Sequence, residues 1–165
     1  MMDIKVTMNI SGLENTLETL KKLPRDVTTN ARGGMVNLAM RKGTRLMVSK
    51  LRPAAQAAID KDGSVSTGLL ASSLTTRRAK YNGKGHKLNI TVRKEVYPPR
   101  TKGQSRKTNT RQTARYLEYG TVKQAATPWI RPTFRKMAQP TIDTITDDLK
   151  NRVDKAAAKY LSEGN

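Results

Sequence analysis

Cysteine is absent from the 165 residues, and histidine occurs once, as His86. Without thiols the chain has no disulfide and no thiolate metal site, which suits a reducing compartment. One imidazole, in a Gly-Lys-Gly-His-Lys turn, supports no Ser/His/acid set. Acids are few, 13 against 32 Lys and Arg, and they are scattered. Asp60 and Asp62, Glu118, and Asp147 and Asp148 fall on different expected elements, so they do not converge as a metal nuclease requires. Gly83-Lys84-Gly85 lacks the third glycine and the helix of a nucleotide loop. No catalytic residue, cofactor or metal is therefore expected, and the chain reads as a non-enzyme. No apolar run approaches the ~18 residues of a membrane span. Met1-Met2-Asp3 opens with neither a basic nor an apolar signal region, so no signal peptide is expected, and no membrane partner is expected either.

What the chain does have is positive charge. The net value is +19, and it is uneven. From Arg77 to Arg115 there are 13 Lys and Arg and one acid, Glu95, a net +12 in 39 residues. Such a block repels itself and attracts polyanions. Three readings fit it: a solvated loop, contact with nucleic acid, or docking on an acidic protein. Only Tyr81 and Tyr97, at its edges, could stack on bases, whereas single-strand binders interleave aromatics with cations.

At this length one domain, 1–165, with a modest core is expected. Ile4, Val6, Met8 and Ile10 alternate with polar residues and predict a strand. Ser11 and Glu14 form a capping-box pattern that opens a helix with Leu13, Leu17, Leu20 and Leu23 on one face. A second helix is expected from about Asp26 to Leu51, stopping before Pro53, with its Met residues as core filler. Asp60 to Ser64 reads as a solvated turn, since a calcium loop needs more ligands. A short helix after Thr67-Gly68 leads to a basic hairpin over 75–96, turning at Asn82-Gly83-Lys84-Gly85. Residues 97–113 carry no aliphatic side chain before the sheet is expected to resume at 114–119, and they read as a mobile basic loop. Ile142, Ile145, Leu149, Val153, Ala156 and Tyr160 form a narrow seam on a final helix, expected from about Thr141 to Leu161. The class expected is α+β: a small antiparallel sheet on two N-terminal helices and a long C-terminal helix.

The scarce aromatics are concentrated. Two of five Tyr, the only Trp and the only Phe lie between Tyr116 and Phe134, in Arg115-Tyr116-Leu117-Glu118-Tyr119-Gly120-Thr121 and Pro128-Trp129-Ile130-Arg131-Pro132. Aromatics dominate core and interface energetics, so this cluster marks the main packing site. Tyr116 and Tyr119 suit a short strand ended by Gly120, with Pro128 and Pro132 holding the next segment extended. Glu118 alone is expected to pair with an Arg or to lie at an interface.

These two pieces, with Ser66-Thr67-Gly68-Leu69-Leu70-Ala71-Ser72-Ser73-Leu74 and Ile10-Ser11-Gly12-Leu13 upstream, resemble the tail-completion, or head–tail joining (neck), proteins of long-tailed bacteriophages. Order and spacing match over nearly the whole chain. The resemblance implies a structural virion protein that forms a homo-oligomeric ring at the head-proximal end of the tail, after assembly in the host cytoplasm. Its implied partners are copies of itself and the neighbouring tail-tube, tail-terminator and head-connector proteins, with genomic DNA passing through without sequence recognition. Tyr116, Glu118, Tyr119, Trp129 and Phe134 are the expected interface residues, and Lys102, Arg106, Lys107 and Arg111 the expected DNA-facing cations. The alternative reading is a non-specific nucleic-acid-binding protein.

Overall fold

A computed structural model describes residues 34–79, 87–99 and 108–163. The expected strand at 4–10, the Leu13–Leu23 helix, the hairpin turn with His86, and Lys102, Arg106 and Lys107 lie outside these residues. The described elements are α1 (Gly34–Lys61), α2 (Leu69–Ser73), β1 (Leu74–Arg78), β2 (Leu88–Val92), α3 (Thr110–Tyr119) and α4 (Ile130–Glu163). β1 and β2 pair as a two-stranded antiparallel sheet, so the class is α+β, and the long C-terminal helix is present.

The chain divides into two compact units. One takes the chain through Arg45, Arg78–Asn89 and the residues from Ala138 onward; the other takes Leu46–Arg77 and Ile90–Met137.

The second unit has the larger core. Met47, Val48, Leu51, Ala55, Ala58 and Ile59 of α1 pack with Leu70, Leu74, Ala114, Leu117, Trp129 and Met137. Ile90, Val92 and Phe134 lie against them, half-buried. The α1 residues recur at helical spacing across Pro53, which explains why α1 does not end there as expected. An internal proline costs about 3 kcal/mol. Here the residues beyond it include Ala54, Ala55, Ala57 and Ala58, strong helix formers, and Ile59, whose burial contributes about 1.5–3 kcal/mol. Ser49, whose carbonyl loses its partner to Pro53, is exposed, so water can satisfy it.

In the first unit Ala39, Ile145, Leu149 and Val153 form a smaller cluster, joined by Met35, Val36 and Met40. Three members of the expected seam, Ile145, Leu149 and Val153, are buried in it. Gly43 sits where α1 meets α4: a Cβ built there would lie 2.3 Å from Ile145 Cγ1 and 3.1 Å from the Thr141 carbonyl oxygen. Asp148 receives Lys42 Nζ at 2.9 Å and Arg152 Nε at 2.5 Å. Burial alone would raise its pKa, but the Arg152 and Lys42 hydrogen bonds outweigh that and hold it below the usual aspartate value.

Residues 114–119 are not a strand but the body of α3. Asn109 caps it, accepting from the Arg111 and Gln112 N–H groups, while Gln112 Oε1 accepts from the Asn109 N–H at 3.0 Å. Thr110, Ala114, Leu117 and Glu118 make its buried stripe. The loop expected through 113 therefore ends at Asn109. Nor does the last helix wait for Thr141: it starts at Ile130, eleven residues earlier, and runs through Pro132 and Pro140. At Pro140 both the ring and Lys136, whose carbonyl loses its donor, are exposed. Pro132 is explained by the helix start itself.

Candidate functional site

The aromatic cluster folds around one carboxylate. Glu118, near the C-terminal end of α3, has no exposed surface. Its Oε2 accepts the N–H groups of Trp129 and Ile130, both at 2.8 Å, and its Oε1 accepts that of Arg131 at 3.2 Å. The first four N–H groups of a helix have no partner within it. In α4 these belong to Trp129, Ile130, Arg131 and residue 132, which is proline and has none. Glu118 thus satisfies every orphan donor at this end, and its charge sits at the positive pole of a helix dipole. The next N–H, of Thr133, reaches Trp129 O at 3.4 Å.

Arg131 closes the arrangement. Its Nε donates to Glu118 Oε1 at 2.8 Å, and its guanidinium lies over the Tyr119 ring, 5.1 Å from the centroid. Burial alone would push the Glu118 pKa up. The Arg131 hydrogen bond and the three backbone N–H bonds outweigh it and hold the group below the usual glutamate value. Between the two helices Gly120, at φ 74° and ψ −176°, turns the chain in a region open in practice to glycine alone. Its N–H returns to Tyr116 O at 2.8 Å, and the Thr127 N–H reaches Leu117 O at 2.8 Å.

The five expected interface residues therefore separate. Glu118 and Trp129 are interior and Phe134 is half-buried, so they build the frame of this chain. Tyr116 and Tyr119 stay 41% and 56% exposed, and Val122, at the tip of the following turn, is fully exposed. Glu118 does pair with an arginine, as expected. Periodicity alone cannot tell a helix N-cap from an extended segment, so the sequence does not separate Trp129 from the exposed tyrosines.

The basic stretch is strapped to α3. Thr110 accepts the Glu95 N–H at its Oγ1 and donates that hydroxyl to the Arg93 carbonyl, while its own N–H reaches Glu95 O at 2.9 Å. Arg111, the one expected DNA-facing residue that is described, is exposed and donates Nε to Val92 O at 2.9 Å. The loop reading passes over the local signal of the Asn109–Gln112 capping box, an N-x-x-Q pattern; the part of Thr110 has no local signal, since its partners lie 15 to 17 residues away.

A cleft of about 290 Å³ opens in the same unit, with Ile59, Val65, Leu70, Tyr97, Tyr116 and Leu117 among its walls. Asp62 on its rim accepts from Ser64 and Gln124, so the Asp60–Ser64 stretch closes as a turn. Among the described residues no three His, Asp or Glu side chains could share a metal ion, and no helix is long and apolar enough to cross a membrane. Compared with protein-family models, curated proteins and solved structures, the chain matches none of them.

Proposed function

We propose that this is a structural protein of a bacteriophage neck, which assembles as a ring of identical subunits at the head-proximal end of the tail and enables head–tail joining. The reading starts from the ordered motifs around Thr67-Gly68, Tyr116–Thr121 and Pro128–Pro132. One observation carries it further: the last two motifs build a rigid corner, Glu118 on the start of α4, that holds Tyr116, Tyr119 and Val122 out into solvent. Large side chains that a modest core leaves outside, on a locked frame, suit contact with another subunit. Neighbouring subunits, tail-tube, tail-terminator and head-connector proteins are the partners this role implies.

Electron microscopy and sedimentation of the purified protein, after nuclease and high-salt treatment, test the reading. Nucleic-acid-free rings of one stoichiometry support it. A persistent monomer that coats DNA, with no ring at any protein concentration or beside tail proteins, overturns it in favour of a plain nucleic-acid binder.

A further inference from the structure

We infer that the seam where residues 93–95 meet the start of α3 is a sequence-independent contact surface for the phosphate backbone of duplex nucleic acid. Thr110 and Arg111, bonded to Arg93, Glu95 and Val92, draw two stretches of chain together. Arg93 and Lys94 come to lie beside Arg111, with Arg115 one turn further along α3. All four are exposed. Only Arg93 has a carboxylate partner, Glu95 at 3.2 Å. The Nε of Arg111 is taken by a carbonyl, which fixes the guanidinium and leaves its Nη hydrogens for an incoming oxygen. Lys94 and Arg115 have no hydrogen-bonding or ionic partner among the described residues.

Among the described residues, no carboxylate of the unit around the seam is bonded to Lys94, Arg111 or Arg115. All twelve of its described Lys and Arg are exposed. Its acids are engaged within the unit: Asp60 by Gln56, Asp62 by Ser64 and Gln124, Glu95 by Arg93, and Glu118 by Arg131. The complement to such a surface is an external polyanion. A seam of exposed cations, with the Arg111 guanidinium held by the Val92 carbonyl and no row of interleaved stacking platforms, matches a duplex backbone rather than unstacked bases. The inference rests on the neck reading only for the source of the nucleic acid, a genome passing through the ring.

The test is binding of purified protein to labelled 20-base-pair duplexes of unrelated sequence, by fluorescence anisotropy over a salt series. Each neutralised phosphate contributes about −0.9 to the slope of log affinity against log salt. K94Q/R111Q/R115Q should therefore flatten the slope by about 2.7, and K94Q/R115Q, which breaks no hydrogen bond of the fold, by about 1.8. K123Q/R135Q/K136Q removes the same charge elsewhere in the unit and should change the slope by less than about 1. Equal affinity for the unrelated duplexes is expected. The inference is overturned if both triple variants flatten the slope equally, if no duplex binds at 50 mM salt, or if poly-glutamate or single-stranded DNA binds more tightly than duplex. Tighter poly-glutamate binding would mark the seam as a dock for an acidic protein. Ring formation is scored separately, so a protein that forms rings but ignores duplex loses this inference and keeps the neck reading.

Discussion

Replacing Glu118 should cost more stability than any exposed substitution in this protein. In Glu118→Ala three backbone N–H groups at the start of α4 lose their acceptor, one of them fully within the core beside Trp129. An unsatisfied buried donor costs about 1–3 kcal/mol. Water can reach the Arg131 end, because that side chain is about half exposed, so the expected total is about 3–5 kcal/mol rather than the sum of three full penalties. With a urea m-value of about 1.5–2 kcal/mol/M, the midpoint should fall by about 2 M. Glu118→Gln keeps the shape and one acceptor oxygen and should cost about 2 kcal/mol. Arg131→Gln removes only the half-exposed partner and should move the midpoint far less than Glu118→Ala. Acid should resolve the charge. The Glu118 pKa is lowered on folding, so its contribution is full above the ordinary glutamate value of 4.5 and is lost as pH falls through the lower folded value. Wild type should therefore lose stability below about pH 4.5 more steeply than Glu118→Gln, with Asp148 contributing equally to both profiles. Urea titrations followed by circular dichroism at pH 7 and across the acid range measure all of this. A loss below about 1 kcal/mol in Glu118→Ala, or an equal loss in Arg131→Gln, would refute the helix-start account.

Gly43→Ala should destabilise by about 1–3 kcal/mol despite the higher helix propensity of alanine, because Ile145 and the Thr141 carbonyl occupy the space. Thermal melts should show partial rescue by Ile145→Ala. Gly120→Ala combines a φ of +74° with a Cβ only 2.8 Å from Gln124 O and should cost at least about 1–3 kcal/mol in the same assay. Trp129→Ala should lose about 3–5 kcal/mol. Tyr116→Ala with Tyr119→Ala should leave the melting curve within about 1 kcal/mol yet weaken self-association in sedimentation, and an unchanged oligomer would remove both tyrosines from the interface.

How far the sequence disclosed this fold depended on the range of the interaction. The α1 stripe from Val36 to Leu51, the short helix after Gly68 and the alternation of Leu88, Ile90 and Val92 are local signals, and the structure follows them. Pro53, Pro132 and Pro140 all lie inside helices, because proline punctuates only where its missing donor or its ring meets something buried. Two of the three displace an exposed carbonyl partner, and the third stands where the donor was surplus. Tyr116 and Tyr119 favour strands in isolation, yet the cap at Asn109 and the stripe of Ala114 and Leu117 prevail over that weak preference. Of the aromatic cluster only Trp129 is buried in the core, with Phe134 half-buried and the two tyrosines exposed. Which members face inward was not legible, because that depends on Glu118 meeting an N-terminus eleven residues later.

The paired stems at Val96 and Asn109 carry a consequence for how this protein can vary. They form an antiparallel bridge, reinforced by the Tyr97 N–H on Thr108 O and by Thr110 on both sides of Glu95. The chain leaves the frame and returns to it at one point, where these two stems meet. Doubling the length of the chain between them costs only about 0.6 kcal/mol in closure entropy. Its length and composition are thus uncoupled from the register of β2 and α3. Inserts of different length between these stems should therefore leave the Glu118 corner unchanged.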